Sequence, residues 1–196
     1  MRKAEKTDIS LVVDILSSSF LENPSVNWVI KNDNKIEKRI QVLCRYSFLT
    51  TLIRNGVYIS SNEKGVALCY KYNEKNETLS DYRNQLVLAI MAIGLRRVPG
   101  VLRREAYIKK YRPKDGNYLY FWFFGVKRGH QNGESAKELK NNILSYADKK
   151  GLAIYLETSV EKNKRVYERY GFEVYHIWID HEKNVELYFM RRTPKL

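Results

Sequence analysis

One stretch near the end of the chain, LETSVEKNKRVYERYGF at residues 156–172, carries side chains suited to proton transfer. Glu157 follows an apolar run, and a carboxylate at the end of a strand can accept a proton from a cationic group. Tyr167 has a hydroxyl that is neutral at pH 7 and can donate a proton. It lies four residues after Asn163, so the two side chains fall on one face of a helix. The stretch therefore presents a candidate base and a candidate acid across a strand-to-helix crossover.

The flanking sequence predicts the strand and the helix that must hold these side chains. The run 152–156 is short and apolar, as in a buried strand. Thr158 and Glu161 match the T-x-x-E pattern of a capping box, which predicts a helix that continues to Tyr170 and ends at Gly171.

An aromatic strand and another helix precede this unit. The segment 118–126 reads YLYFWFFGV, so we expect a strand buried on both faces at the centre of a sheet. Apolar residues spaced from Ala136 to Ala147 predict a helix that ends at Gly151. A strand, a helix, a strand and a helix in this order predict a parallel β-α-β core within an otherwise antiparallel sheet. The other predicted elements are strands at 2–4, 57–60, 65–72, 172–179 and 185–191 and helices at 8–20, 35–54 and 79–97.

Length and composition favour one soluble globular domain that spans residues 1–196, with 44% hydrophobic and 29% charged residues. The longest apolar run, 86–95, is about half of the roughly 20 residues that a bilayer requires. The first residues have no apolar signal-peptide core behind them. We therefore expect a cytoplasmic protein with no membrane partner. Cys44, Cys69 and the histidines lack the spacing of a metal site, so no metal is expected.

The charge balance is strongly basic, with 35 Lys and Arg against 22 Asp and Glu and a net charge of +13. Much of the excess lies between Arg96 and Lys114, where Glu105 is the single acidic residue. Nucleic acid, an anionic membrane face or a phosphorylated cofactor could each bind such a segment. A solvated basic face with no partner fits the same pattern.

Several motifs together resemble one known family. They are the run Phe124-Gly125-Val126, the loop with Gln131, the helix to Gly151, and the sequence N-x-x-x-Y-E-R-Y-G-F that begins at Asn163. Between about residues 118 and 172 the chain resembles the GNAT superfamily of acyl-CoA N-acyltransferases, and its closing stretch is especially similar to the branch that contains puromycin acetyltransferase. The resemblance implies an α/β (α+β) fold with a mixed, mostly antiparallel central sheet, a parallel β-α-β core and flanking helices.

The activity implied by this resemblance is acetyl-CoA-dependent N-acetylation. The enzyme would transfer acetyl from acetyl-CoA, the donor cosubstrate, to the primary amine of a small molecule by direct attack in a ternary complex. Residues 21–117 would then supply substrate-side elements and residues 118–172 the acetyl-CoA-binding core. Two alternatives stay open: a degenerate acyl-CoA-binding protein without turnover, and a nucleic-acid-binding domain that uses residues 96–114. The oligomeric state also stays open, a homodimer included.

The resemblance also implies which residues bind the cofactor. The backbone groups of Phe124 and Val126 would pair with pantetheine, and Gly125 would permit its close approach. Asn163 matches a family position that can contact the cofactor, although simple helix-start chemistry explains it equally well.

The loop before the helix at 136 would cradle the pyrophosphate at the helix N-terminus, where the family reads Q/R-x-x-G-x-G/A. Two registers compete: the preferred one, without gaps, uses Gln131, Glu134 and Ala136, and the other uses His130, Gly133 and Ser135. The predicted cofactor residues of this loop are Gln131, Asn132, Gly133, Glu134, Ser135 and Ala136.

The same resemblance assigns catalytic roles. Tyr167, four residues before Gly171, occupies the position of the family's general acid, which protonates the departing thiolate. Glu157 is the candidate base, acting directly or through a water molecule, and Tyr118 or Tyr120 could line the amine site. Each role has a structural alternative: Tyr167 could be a core residue and Glu157 a plain carboxylate at a strand end.

Overall fold

The protein is built on a seven-stranded sheet, seen in a computed structural model that describes residues 1–73, 79–130 and 133–195. The strands lie in the order β1-β2-β3-β4-β5-β7-β6. Their bounds are Arg2–Lys3 (β1), Val57–Ile59 (β2), Gly65–Lys71 (β3), Leu119–Val126 (β4), Ile154–Thr158 (β5), Glu173–Asp180 (β6) and Val185–Arg192 (β7). Within this described chain β4 and β5 are the one parallel pair. The predicted fold class is thereby confirmed.

Seven α-helices cover the two faces of the sheet in the described ranges. They are Ile9–Phe20 (α1), Pro24–Val29 (α2), Ile36–Leu52 (α3), Leu79–Val87 (α4), Val98–Lys110 (α5), Glu134–Lys150 (α6) and Glu161–Arg169 (α7). Helices α1 and α3 pack on one face, around Leu16 and Phe48. Helices α6 and α7 pack on the other, around Leu139 and Phe172. The central strand β4 contributes to both cores, as its aromatic sequence predicts.

The helical segment between β3 and β4 differs from its prediction. The helix expected at 79–97 is interrupted: α4 continues as a π-helical segment, Leu88–Ile93, which ends at Gly94 with a φ of 81°. Glycine adopts that backbone conformation without the steric penalty of a side chain. Pro99 lies in the first turn of α5, where no intrahelical partner for its nitrogen is needed.

No single helix in the described ranges is both long and apolar enough to span a bilayer. The segments Asp81–Ile93 and Leu95–Lys110 meet the length and composition criteria only as a pair, and they are bent by 100° relative to each other.

Candidate active site

An opening in the middle of the sheet separates β4 from β5. In the described chain the two strands pair only where they begin, through Leu119 with Ile154 and Tyr120 with Tyr155. Strand β5 then continues alongside β7 as far as Thr158. The second half of β4 therefore has β3 on one side and an unpaired edge on the other, so its backbone groups there can bind a ligand.

A bulge in β4 decides which backbone groups face this opening. The N–H of Leu119 donates to Ala153, towards β5, whereas the N–H of Lys127 donates to Lys64, towards the β3 side. These two residues are an even number of positions apart, so in a regular strand their N–H groups would point to the same edge. The pairing of β3 with β4 shifts by one residue between Leu68 and Cys69, and this bulge reverses the edge to which later N–H groups of β4 point. Phe124 and Val126 consequently direct their N–H and C=O groups to the open edge, where the sequence analysis predicted pantetheine contacts.

Gly125 packs closely against α1. A Cβ atom on this residue would lie 2.9 Å from Cδ2 of Leu16 and 3.0 Å from Oγ of Ser19, so a larger residue would displace these side chains. The Ser19 hydroxyl also donates to the Val126 carbonyl at 2.9 Å, which ties α1 to the end of β4. The close approach of α1 is thus a structural reason for glycine at this position, and the predicted approach of pantetheine stays a prediction.

A cavity of about 730 Å³ extends from this opening into the helical segment between β3 and β4. Phe124, Glu157, Asn163 and Tyr167 all line it. The structure therefore brings the predicted acid and the predicted base to one cavity. Tyr120 also lines the cavity, whereas Tyr118 stacks on Tyr72, with 4.9 Å between the ring centroids.

Glu157 lies in a buried ion pair with Arg112. The Nε and Nη2 atoms of Arg112 donate to the two carboxylate oxygens at 3.0 and 2.7 Å, and the side chains are 4% and 7% exposed. The Tyr120 hydroxyl donates to the same carboxylate at 3.0 Å, and the Arg112 guanidinium lies 3.8 Å from the centroid of its ring. Burial opposes the charge of Arg112, but Glu157 holds the pKa of the guanidinium well above its usual value. Arg112 is therefore charged at neutral pH and faces the Glu157 carboxylate.

The sequence analysis treated Arg112 as part of a surface charge run and missed this contact. Its position was nevertheless encoded, because Val101, Arg104 and Ile108 are the buried residues of α5 and are spaced three and four apart. Arg112 continues that spacing and falls on the same buried side.

Tyr167 projects from α7 towards β4. Its ring makes edge contacts with Phe121 and Phe172, at centroid distances of 6.4 and 5.5 Å. Burial raises the pKa of the Tyr167 hydroxyl above its ordinary value, so the group is protonated at neutral pH. Tyr167 lines the cavity, so its hydroxyl proton can be offered to a ligand bound there.

The start of α7 differs from its prediction. Val160 is the N-cap residue and no side chain caps the helix. Thr158 belongs to β5, and its hydroxyl accepts from the N–H of Val160 at 3.3 Å. The capping box predicted from Thr158 and Glu161 is therefore wrong, because the strand runs further than its apolar residues indicate. Asn163 is exposed in the first turn, at the cavity.

The start of α6 is a helix N-terminus without a side-chain cap, since Gly133 is the N-cap residue. Ser135 cannot act as a cap: it is buried and donates to Oδ1 of Asn62 at 2.7 Å. The exposed Glu134 and the half-buried Ala136 complete the first turn. The predicted residues Gln131 and Asn132 lie outside the described residues.

The first turn of α6 lies beside the end of β4. Gly65 pairs with Val126, and a Cβ atom on Gly65 would be 3.0 Å from Cβ of Ser135. The unpaired N–H groups of this helix N-terminus therefore lie near the end of β4, an arrangement that suits a phosphate group of a ligand bound along β4.

Comparison with known proteins supports the same fold. No family model matches the chain. A histone acetyltransferase HPA2 and related acetyltransferase from Corynebacterium glutamicum superposes with a TM-score of 0.72 at 18% identity, covering 100% of this chain and 96% of that one. The chain has the GNAT fold.

Two further N-acetyltransferases match over most of their length. Arylalkylamine N-acetyltransferase 2 from Aedes aegypti superposes with a TM-score of 0.60 at 17% identity, covering 99% of this chain and 98% of that one. An uncharacterized N-acetyltransferase of Schizosaccharomyces pombe is 22% identical over 214 aligned residues, which cover 99% of this chain and 83% of the relative. The GNAT resemblance predicted from the sequence is therefore confirmed, while the puromycin acetyltransferase-like branch stays a prediction.

Proposed function

We propose that the protein is an acetyl-CoA-dependent N-acetyltransferase that acts on the primary amine of a small molecule. One observation carries the proposal: Phe124 on the open edge of β4, Glu157 and Tyr167 line one cavity in a GNAT fold, and the uncapped start of α6 lies beside the end of β4. The acetyltransferase names of the matched proteins support it.

The residues present fit acetyl-CoA as the donor cosubstrate. The backbone of Phe124 and Val126 would hold the pantetheine arm along β4, and the first-turn N–H groups of α6 would hold the pyrophosphate. Asn163 would contact the cofactor from α7. Bound in this way, acetyl-CoA supplies an activated acetyl group. The cationic surface of the chain would favour the phosphates of the cofactor.

The chain itself would supply positioning and proton transfer. Tyr167 holds a proton at its hydroxyl and would give it to the departing thiolate. Glu157, charged and fixed by Arg112, would attract the ammonium group and accept its proton, directly or through a water molecule. No covalent bond between enzyme and acetyl group is required, since the amine can attack in a ternary complex.

The part of the cavity beyond Glu157 suits an amine with an apolar body. Tyr46, Tyr70 and Trp122 line it, together with the carboxylate residues Asp81 and Glu105. Aromatic rings bury apolar surface and the carboxylates attract a cationic amine. All but Trp122 come from residues 21–117, which we accordingly propose as the substrate-side elements.

Two measurements together test the proposed function. Release of free thiol from acetyl-CoA should require a primary amine and should not occur with the tertiary amine of the same skeleton, which cannot form a stable amide. Acetyl-CoA alone should raise the free energy of unfolding by about 2.7 kcal/mol at a hundredfold excess over its dissociation constant. Stabilisation without thiol release from any amine would indicate an acyl-CoA-binding protein without turnover. Absence of both effects would exclude the enzyme and the binding protein alike.

A further inference from the structure

The segment between β3 and β4 carries a large exposed apolar surface. Seven large side chains between residues 82 and 102 are 45–66% exposed, with Leu95 the most exposed at 66%. We call them the apolar strip: Tyr82, Leu86, Val87, Ile90, Met91, Leu95 and Leu102. Single exposed apolar residues are normal in soluble proteins, but a cluster of this size marks an interaction surface.

The segment that carries the apolar strip is apolar on its inner side as well. The inner side of the same segment is already apolar, with Ala92 and Ile93 buried. A helix that only covers a domain core is polar on its outer side. This segment is apolar on both sides, so its outer side needs a second apolar environment.

A recess lined by cationic side chains adjoins the apolar strip. The recess has a volume of about 200 Å³. We call it the basic recess because four of its lining residues are cationic: Arg96, Arg97, Arg103 and Lys183. Among the described residues none of the four forms an ion pair with a carboxylate. Arg96 follows Leu95 directly and Arg103 follows Leu102, so the positive charge lies at the border of the apolar surface.

We propose that the apolar strip and the basic recess dock the protein on an anionic membrane surface. Apolar side chains beside Lys and Arg are the combination that such an interface binds: the apolar groups enter the headgroup region and the cations contact lipid phosphates. Nucleic acid would bind the cationic side chains, but its phosphate backbone would not bury the seven exposed apolar side chains. A symmetric second copy would bring two basic recesses into one interface, where their charges repel.

Docking in this orientation would place the mouth of the cavity against the membrane. Leu86 and Leu102 belong to the apolar strip and also line the 730 Å³ cavity. The sequence-based expectation of no membrane partner rested on the length needed to span a bilayer, which has no bearing on binding at its surface. The proposal does not depend on the proposed acetyl transfer.

Co-sedimentation of the protein with vesicles tests the apolar strip. The protein should bind vesicles of phosphatidylcholine with phosphatidylserine and bind vesicles of phosphatidylcholine alone weakly. Leu95→Asp should weaken partition by about tenfold or more, because a charge replaces an inserted side chain. Ile179→Asp is the matched control, since Ile179 is 47% exposed on β6, outside the apolar strip, and its replacement should leave partition unchanged. Met91→Asp provides a second test should Leu95→Asp fail to fold, as judged by circular dichroism.

A pair of charge variants tests the basic recess. Arg96→Ala combined with Arg103→Ala should weaken partition about 25-fold, since each cation near an anionic surface contributes about fivefold. Lys149→Ala combined with Lys150→Ala removes the same net charge from the end of α6 and should leave partition within about twofold, because distant charges are screened.

Three results would overturn the proposal. The first is equal vesicle binding by Leu95→Asp, Met91→Asp and the wild type, which would leave only an electrostatic polyanion site. The second is an equal loss of partition in the two double variants, which would show that net charge alone drives binding. The third is a dimer in sedimentation velocity that Leu95→Asp dissociates, which would identify the occupant of the surface as a second copy.

Discussion

At the scale of single residues, the Glu157 carboxylate that lines the cavity is bound by other side chains of the protein. Glu157 accepts three hydrogen bonds from Arg112 and Tyr120, and its side chain is almost fully buried. A carboxylate held in this way has a fixed position and orientation, because donors from two residues bind its oxygens. The structure therefore offers two roles for Glu157, proton acceptor and fixed anion, which variants can separate.

We predict that Glu157→Gln lowers turnover more than Arg112→Gln does. Both variants break the buried pair and should lower the free energy of unfolding, by about 3 kcal/mol or more, because one charge is left without its partner. Only Glu157→Gln also removes the carboxylate, and loss of a general base lowers the rate by roughly 10² to 10⁴. Steady-state kinetics and urea unfolding measure the two effects. Equal activity losses in the two variants would mean that turnover depends on the intact ion pair and not on Glu157 as a base.

Tyr167→Phe should lower turnover by roughly 10² to 10⁴ and leave the affinity for acetyl-CoA within about twofold. One hydroxyl is lost, while the ring contacts with Phe121 and Phe172 remain. Tyr170→Phe is the control, because Tyr170, the residue directly after α7, packs beneath the Lys140 ammonium, which lies 4.3 Å from its ring centroid, and has no proposed role in proton transfer. Full activity of Tyr167→Phe under conditions where chemistry limits the rate would make Tyr167 a packing residue.

At the scale of elements, the start of α6 lies beside the end of β4 and is our proposed site for the pyrophosphate. Glu134 is exposed in the first turn of α6. With no ligand bound, its carboxylate suits the positive end of the helix dipole and contributes about 0.3 to 1 kcal/mol. With a pyrophosphate nearby, at ~5 Å and near-water screening, the same charge would repel the ligand by about 0.8 kcal/mol.

Glu134→Gly should therefore tighten acetyl-CoA binding a few-fold and slightly destabilise the free protein. The alternative register predicts that Gly133→Ala is the damaging change, and the structure adds that the new Cβ would lie 3.1 Å from the His130 carbonyl oxygen. Calorimetric titration of both variants with acetyl-CoA distinguishes the registers. Weaker binding by Glu134→Gly would show that the carboxylate makes a needed contact, contrary to this interpretation.

At the scale of the whole molecule, one ion pair joins the end of α6 to the last strand of the sheet. Both nitrogens of the Arg192 fork donate to Asp148, at 2.7 and 2.9 Å, and the Arg192 side chain is nearly buried. The Asp148 carboxylate also accepts from the N–H of Lys195 at 2.8 Å. The hydrogen bonds from Arg192 lower the pKa of Asp148 below its usual value of 3.8.

Asp148→Asn should lower the free energy of unfolding at neutral pH by about 1–3 kcal/mol. Since the folded-state pKa of Asp148 is below the unfolded one, the stabilisation is present above about pH 4 and is lost as the pH falls through the folded-state value. The difference between wild type and variant should thus shrink at low pH. Urea unfolding at neutral and acidic pH measures it. If the difference in unfolding free energy between wild type and Asp148→Asn were the same at both pH values, the loss of stability would come from packing and not from the charge of Asp148.

The fold of the second half of the chain could be predicted from sequence because its signals are local. The aromatic strand at 118–126, the apolar spacing of α6 and the glycine after it each report on one element, and the chain order implies the parallel pair. The break at Gly94 and the start of α5 at Val98 were missed, because continuous apolar composition hides a bend that only a φ value reveals.

By itself, the sequence determined the type of sheet and the residues that can transfer protons, since periodicity and side-chain chemistry are local properties. Only the tertiary structure decided what surrounds those residues. It paired Arg112 with Glu157, 45 residues away, and placed Gly125 close to α1. It also left the residues of the apolar strip exposed, although their composition matches that of core residues. Spacing along the chain indicates which side of an element is buried, but the partner of a buried charge depends on which distant segments meet.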